Sequence, residues 1–165
     1  LPGVAHGSPE YVEAIRRGLA DVTWPGRLQK LQDSPAVYLD GAINGASARS
    51  LVASLEGDLH DPVIGIVAVP EDKDYDGVYR EIGLASESLI ITETPRNPIL
   101  HFPPFRAAVE TALRYNPDIT HVPGLAAAVE EAKARAGQTG TILIAGTQSI
   151  LADAIQLWGF SYEAI

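Results

Sequence analysis

Polar side chains that could bind an anion or a nucleotide follow several apolar segments of this sequence. They lie in four short segments, Asp40–Asn44, Pro70–Asp76, Glu93–Arg96 and Gly146–Ser149. Each segment comes directly after a run of residues that is typical of a strand. In open α/β sheets, ligands bind beyond the carboxyl ends of the strands. We therefore expect a ligand site to be built from these four segments.

The first two segments hold the most specific candidates. Asp40 ends an apolar run, and Asn44 stands where a helix begins, with free backbone N–H groups that attract anions. Lys73 is a cation between two acids, Asp72 and Asp74. The alternative for Asp40 and Asn44 is that they only cap the helix, as Asp and Asn commonly do. The alternative for Lys73 is a solvated turn, and spacing alone leaves these alternatives open.

Several well-known chemistries lack their residues in this chain. It has no cysteine, no G-x-x-x-x-G-K-[ST] phosphate loop, no G-x-G-x-x-G, no G-x-S-x-G and no H-E-x-x-H,. Its histidines fit no metal-ligand spacing; they are His6, His60, His101 and His121. Thr147 and Ser149 are interpreted as capping residues of the last helix. We therefore predict no catalytic residue and no metal-ligating residue in this chain.

The composition excludes some partners. The chain of 165 residues has a formal net charge of −9, with 12 Lys and Arg that form no basic run of five or more residues. Binding to a nucleic-acid backbone needs clustered basic residues, so we expect no nucleic-acid partner. No apolar run approaches the roughly 20 residues that cross a membrane, and no signal peptide is visible, so we expect no membrane association.

The apolar pattern predicts strands that alternate with helices. The predicted strands are Ala36–Asp40, Val63–Val69, Ser88–Thr92, Ile119–Val122 and Thr141–Ala145. The pattern also predicts six helices. The first begins at Ser8, and the others cover Asn44–Leu55, Asp76–Leu84, Phe105–Leu113, Pro123–Ala136 and Ile150–Trp158. Asp21–Leu31 has no clear periodicity and carries Pro25 and Gly26, which predicts a structured loop. Trp24 and Trp158 are expected to lie in the core or line a groove.

Such alternation indicates βαβ units with right-handed crossovers and a mostly parallel sheet. We predict a single three-layer, Rossmann-like α/β domain over residues 1–165. Its sheet has about five or six strands flanked by helices.

Two motifs carry a resemblance to a known family. Trp24-Pro25-Gly26-Arg27 is followed, thirteen positions after the arginine, by Asp40-Gly41-Ala42-Ile43-Asn44. This pair resembles W-P-G-R and D-x-A-H-N-P in the C-terminal domain of folylpolyglutamate and dihydrofolate synthases, which belong to the Mur ligase superfamily. Asp72-Lys73-Asp74 and Gly146-Thr147 follow in the family's order. The resemblance spans about Tyr11 to Gly159.

The resemblance implies an ATP-dependent ligase that joins L-glutamate to dihydropteroate or folate through an acyl phosphate. It implies that a central P-loop domain, absent from this chain, binds ATP and Mg²⁺. The present chain would then be the C-terminal, nucleotide-clamping domain, inactive on its own and located in the cytoplasm or mitochondrion. By the family pattern, Arg27 would contact the nucleotide phosphates and Asp40 the ribose. Asn44 and Lys73 are further nucleotide-binding candidates, Lys73 at the closed interface between the domains.

Two positions depart from the family pattern. Ile43 stands where the family has histidine, and Gly45 where it has proline. Isoleucine can neither donate a hydrogen bond nor carry a charge. One hypothesis is that the ligase tolerates both changes; another is a degenerate, non-catalytic binding or interaction module. A third is an unrelated Rossmann-like binder of small molecules, which would not need Arg27 and Asp40 in a common cleft.

Overall fold

One six-stranded sheet organises the chain. The computed structural model describes residues 5–20, 22 and 24–160. The strands are β1 Gln29–Asp33, β2 Ala36–Asp40, β3 Val63–Ala68, β4 Ser88–Ile91, β5 Ile119–His121 and β6 Thr141–Gly146. Their order in the sheet is β1-β2-β6-β3-β4-β5, and all neighbours are parallel except β1 and β2.

Six helices accompany the sheet in the described part of the chain. They are α1 Pro9–Ala20, α2 Gly45–Ser54, α3 Tyr75–Leu84, α4 Phe105–Ala112, α5 Leu125–Ala136 and α6 Gln148–Leu157. Helices α5 and α6 pack on one face of the sheet, and α2, α3 and α4 pack on the other. The predicted three-layer α/β fold with a mostly parallel sheet is confirmed.

The central strands are apolar because both of their faces are covered. Every residue of β3 and β6 is buried, as strands in the middle of a parallel sheet require,. This continuous burial is the reason that the sequence predicted these two strands nearly to the residue. Both run into loops at the same edge of the sheet, where β2 also ends.

The prediction of a loop over Asp21–Leu31 was wrong in its last part. Gln29 begins β1, which pairs antiparallel with β2 and has a register shift between Lys30 and Gln32. Only Leu31 of this edge strand is buried. The strand is otherwise polar because it borders solvent, so it carries no apolar periodicity that a sequence reading could detect.

Smaller differences concern helix ends and one tryptophan. Helix α5 begins at Leu125 rather than at Pro123, because Gly124 has φ 86° and takes the N-cap position. Trp158 packs against the core, as expected. Trp24 does not, since 70% of it is exposed.

At the first helix, the Tyr11 N–H donates to Ser8 Oγ at 3.2 Å, which confirms the predicted start.

The crossovers create a crevice beside β6. The chain leaves β2 toward α2 on one face of the sheet, and it leaves the neighbouring β6 toward α6 on the other face. Loops that diverge in this way leave a crevice at the carboxyl ends of the strands, where α/β proteins bind ligands. Among the helices described, none combines the length and hydropathy needed to traverse a bilayer.

Candidate functional site

The Trp24–Arg27 loop is fastened to both sides of this crevice. Gly26 has φ 68° and lies against α6, where an added Cβ would come 2.6 Å from Leu151 Cδ1. Its carbonyl accepts the Gly41 N–H at 2.9 Å, and its own N–H donates to Gln29 Oε1 at 2.8 Å. Because only glycine fits this conformation and this space, Gly26 fixes where the next residue, Arg27, lies.

Arg27 lies across the backbone that follows β2. Its Nη1 donates to the Gly26 carbonyl at 2.9 Å. A Cβ on Gly41 would collide with the same guanidinium, so the absence of a side chain there gives Arg27 its place. The bond to Gly26 uses one of the five N–H donors of the group. The side chain is exposed at the edge of the crevice and suits contact with an anion,.

Asp40 holds the segment Trp24–Leu28, called the arginine loop below, from the other side. Its Oδ2 accepts the Leu28 N–H at 2.8 Å, and Leu28 has the left-handed φ of 45°. Burial raises the pKa of the Asp40 carboxyl, although the hydrogen bond from Leu28 and the positive charge of Arg27 act in the opposite direction. Asp40 is therefore a half-buried carboxyl group that holds Leu28 in place and also lines the cleft described next.

These residues line one cleft of about 430 Å³ between the arginine loop and α2. The lining residues are Arg27, Leu28, Asp40, Gly41, Ile43, Asn44, Ser47, Ser50, Leu51 and Ser54. The cleft is charged at Arg27 and Asp40, and apolar at Leu28 and Ile43. Three of the four predicted site residues thus lie together, whereas their contacts with a ligand stay predictions.

Asn44 acts as a helix cap in addition to lining the cleft. Its Oδ1 accepts the Ser47 N–H at 2.9 Å, and its own N–H donates to Ser47 Oγ at 3.3 Å. This reciprocal pair is a capping box, which satisfies backbone donors at the start of α2,. The capping interpretation of Asn44 is therefore correct, and a contact of Asn44 with a ligand would be additional to this capping role.

Lys73 lies elsewhere. Its Nζ pairs with Asp72 Oδ2 at 2.9 Å on the exposed β3–α3 loop, and it is not one of the residues that line the cleft. Exposed pairs of this kind contribute little to stability. A role for Lys73 in nucleotide binding therefore stays a prediction that needs a second domain closing over the loop.

Sequence reasoning missed the importance of Asp74, the next residue. Asp74 Oδ1 accepts the Gly77 N–H at 3.0 Å and so caps α3, while Oδ2 accepts the Gly45 N–H at 2.8 Å. One carboxylate therefore ties the start of α2 to the start of α3. The family's proline at the position of Gly45 would have no N–H to give. An acid before a helix signals a cap, but nothing local indicates a partner 29 residues away.

A second polar cluster joins the β4–α4 loop to α6. Arg96 donates from Nε to Asp153 Oδ1 at 2.5 Å and from Nη2 to Gln156 Oε1 at 2.6 Å. The Thr94 hydroxyl also donates to Asp153. The segment Glu93–Arg96 is thus held against α6, beside another cleft of about 530 Å³ that is lined mainly by the β4–α4 loop.

The other sequence candidates have structural settings. Thr147 is the N-cap residue of α6, but its side chain makes no capping hydrogen bond, so that part of the prediction was wrong. The His121 ring packs against Phe105 with 4.6 Å between centroids. Within residues 5–20, 22 and 24–160, no group of three or more His, Cys, Asp or Glu side chains is placed to hold a metal ion.

Comparisons with known proteins agree with the motifs. The sequence model of the family described as Mur ligase, glutamate ligase domain matches residues 26–148. The chain is 35% identical over 81 residues to dihydrofolate synthase/folylpolyglutamate synthase of Mycobacterium tuberculosis, covering 48% of this chain and 17% of that protein. It is 32% identical over 90 residues to folylpolyglutamate synthase of Lacticaseibacillus casei, covering 54% and 21%.

A solved structure shares the fold. Mycobacterium tuberculosis folylpolyglutamate synthase complexed with ADP superposes with a TM-score of 0.75 and 27% identity, covering 90% of this chain and 35% of that one. The chain therefore spans about a third of the length of that structure and about a fifth of the curated relatives. An unrelated Rossmann-like protein is excluded, since a family match and a common cleft for Arg27 and Asp40 now coincide. This chain belongs to the Mur ligase, glutamate ligase domain family.

Proposed function

We propose that this domain is the nucleotide-facing C-terminal part of an ATP-dependent ligase that adds L-glutamate to dihydropteroate or folate. The observation that carries the proposal is the cleft in which Arg27 and Asp40 lie together, on loops fastened to each other by the bond from Leu28 to Asp40. The antiparallel β1–β2 pair brings the two motifs together, since Gln29 pairs with Leu39, and both motifs then contribute side chains to the same cleft.

The residues of the cleft fit a nucleotide. A guanidinium matches the oxygens of a phosphate group, and a carboxylate matches the paired hydroxyls of a ribose. The cleft of about 430 Å³ is within the usual range of small-molecule sites,. A relative with the same fold has been solved with ADP. In this proposal Arg27 contacts phosphate oxygens, Asp40 contacts the ribose, and Asn44 contributes at the start of α2.

The remaining parts of the reaction require a second domain. The sequence has no phosphate-binding glycine loop, and the chain spans only about a third of the length of the solved relative. We propose that a central P-loop domain of the parent protein holds ATP and Mg²⁺, and that the present domain closes over the nucleotide. There the γ-phosphoryl group of ATP passes to the substrate carboxyl and leaves ADP. The amine of glutamate then attacks the acyl phosphate, loses a proton and displaces inorganic phosphate to form the amide. The isolated chain then performs no ligation.

One observation favours a second candidate function. Ile43, in the position of the family's histidine, lines the cleft without any group that donates a proton or a hydrogen bond,. If that histidine is essential for ligation, the domain is a nucleotide-binding module without catalysis. Replacing Ile43 by His in the full-length protein separates the two. The degenerate module predicts that the restored histidine rescues nothing, so a strong gain in ATP-dependent glutamate ligation counts against it. Ligation by the unsubstituted full-length protein supports a ligase that tolerates isoleucine.

The proposal is tested first on the chain itself. ADP is titrated into the ¹⁵N-labelled chain up to about 10 mM, which detects affinities near the millimolar range. We expect changes in the amide chemical shifts of the arginine loop and of the first residues of α2. Arg27→Ala and Asp40→Ala should each weaken binding, whereas Arg106→Ala, an exposed arginine on α4 that pairs with Glu110, should not. No response in the cleft at about 10 mM ADP would contradict the proposal.

A further inference from the structure

We propose that Leu28 and Ile43 form an apolar platform for the nucleobase, and that the cleft consequently binds adenine and guanine nucleotides with similar affinity. The inference rests on the proposed function, since it concerns the same cleft. It extends that function by naming the residues that hold the base and the selectivity that they permit.

The two side chains flank the charged part of the cleft. Leu28 follows Arg27 directly, and Ile43 lies three residues after Asp40; both line the cleft. If the phosphates of a nucleotide lie near Arg27 and its ribose lies near Asp40, its base lies against the remaining wall of the cleft. The large apolar side chains adjoining that charged pair are those of Leu28 and Ile43, together with Leu51 deeper in the wall.

Leu28 has an unusual conformation that core packing does not explain. It has a φ of 45°, and 42% of the residue is exposed. A non-glycine residue in the left-handed region is strained, and such strain is concentrated at functional sites. Here the hydrogen bond that the Leu28 N–H donates to Asp40 Oδ2 keeps the residue in place. The structure thus maintains a strained backbone that presents a leucine to the cleft.

The chemistry of this wall does not discriminate between purines. Aliphatic side chains attract the flat face of an aromatic ring by burial and dispersion, which are not directional. The Oδ1 of Asn44 and the hydroxyl of Ser47 already bond within the capping box. The Nδ2 group of Asn44 can only donate, and both purines carry ring-nitrogen acceptors, so it does not distinguish between them. The hydroxyl of Ser50 lies one turn further along α2 and can donate or accept a hydrogen bond. It can therefore bind the amino group of adenine or the carbonyl group of guanine. A histidine at position 43, as in the family pattern, would add a directional group.

The experiment compares ADP, GDP and pyrophosphate as probes of the ¹⁵N-labelled chain. We expect the dissociation constants of ADP and GDP to agree within about threefold, and pyrophosphate, which has no base to bury, to bind more weakly. Ile43→Ala should weaken ADP and GDP alike, by about fivefold, and leave pyrophosphate unchanged. Ile43→Val, which retains most of the apolar surface, should bind both nucleotides nearly as the parent chain does.

Controls separate base contact from loss of structure. Ile99→Ala removes the same apolar surface from a residue that is 81% exposed outside this cleft, and it should change none of the three affinities. The amide spectrum and melting temperature of each variant show whether it folds. If Ile43→Ala fails to fold, Ile43→Val and Leu28→Ala replace it in the comparison.

The possible failures are distinguishable. GDP binding more than about tenfold weaker than ADP would overturn the inference, because a directional contact to the base would then exist. Equal weakening of pyrophosphate by Ile43→Ala would also overturn it, because Ile43 would then shape the phosphate site. In both cases the nucleotide cleft itself survives. Absence of any response to ADP would overturn the proposed function and this inference together.

Discussion

The Asp74 carboxylate accepts the backbone N–H of Gly45 at 2.8 Å and thereby joins the first turn of α2 to the first turn of α3. Gly45 and Gly77 approach so closely that a Cβ on Gly45 would come 3.2 Å from Gly77 Cα. The cleft residue Asp40 ends β2, and Asn44 is the N-cap residue of α2. Asp74 therefore positions one wall of the cleft from a neighbouring loop.

Removal of the Asp74 carboxylate should destabilise the domain. Asp74→Ala leaves the N–H groups of Gly45 and Gly77 without this acceptor, which should cost about 2 kcal/mol in the free energy of unfolding. Asp74→Asn keeps a single acceptor oxygen and should cost about half as much. Urea denaturation of the two variants measures both values. A cost for Asp74→Ala within error of zero would show that water replaces the carboxylate fully.

The contact between Gly45 and Asp74 should appear as thermodynamic coupling. Gly45→Pro restores the family's proline, which suits the first position of a helix but removes the N–H that Asp74 accepts. We expect it to destabilise the parent chain, and to cost less in the Asp74→Ala background, with a coupling energy of about 1 kcal/mol. The measurement is a double-mutant cycle of unfolding free energies. Additive costs would mean that crowding against Gly77, rather than the lost hydrogen bond, governs the site.

Gly41→Ala should act on the ligand through Arg27. The new Cβ would occupy the place of the Arg27 guanidinium, which can swing aside because it is the far end of a flexible side chain. We expect a small change in stability and a loss of ADP affinity comparable to that of Arg27→Ala. Gly18→Ala on α1, where a Cβ meets nothing within 4 Å, is the matched control. ADP titrations that show unchanged affinity in Gly41→Ala would remove Arg27 from the site.

Asp40→Asn should separate stability from binding. Burial raises the pKa of Asp40 in the folded chain, so the folded state binds this proton more tightly than the unfolded state,. The contribution of Asp40 to stability is therefore largest at low pH, and it falls as pH rises from the ordinary carboxyl value of 3.8 through the raised folded value,. Asparagine can still accept the Leu28 N–H and stays neutral. We expect Asp40→Asn to be at least as stable as the parent chain at pH 7.

The same variant should bind ADP more weakly, because the neutral amide replaces the ionised carboxylate toward the ribose hydroxyls. Thermal melts from pH 4 to pH 7, paired with ADP titration at pH 7, measure both effects. Asp40→Ala is the comparison, since it also removes the acceptor for Leu28 and should be less stable. An Asp40→Asn variant that melts well below the parent chain at pH 7 would contradict the assignment of burial as the dominant influence on this carboxyl.

The sequence by itself determined the alternation of strands and helices and the edge of the sheet where the candidate cleft lies. These features are encoded locally: β3 and β6 are continuous apolar runs, and Asp40 and Asn44 stand at the turn between β2 and α2. The spacing of Arg27 and Asp40 also carried the family resemblance, which the family match later confirmed.

Tertiary structure alone decided how these parts meet. The edge strand β1 was missed because a polar strand beside solvent has no periodic apolar signal,. The insertion of β6 between β2 and β3 joins residues far apart in sequence, and so does the hydrogen bond that the Gly45 N–H donates to Asp74. The same holds for the contact of Gly26 with α6. Such contacts depend on the packing of whole elements, whereas local patterns report only which face of each element is apolar.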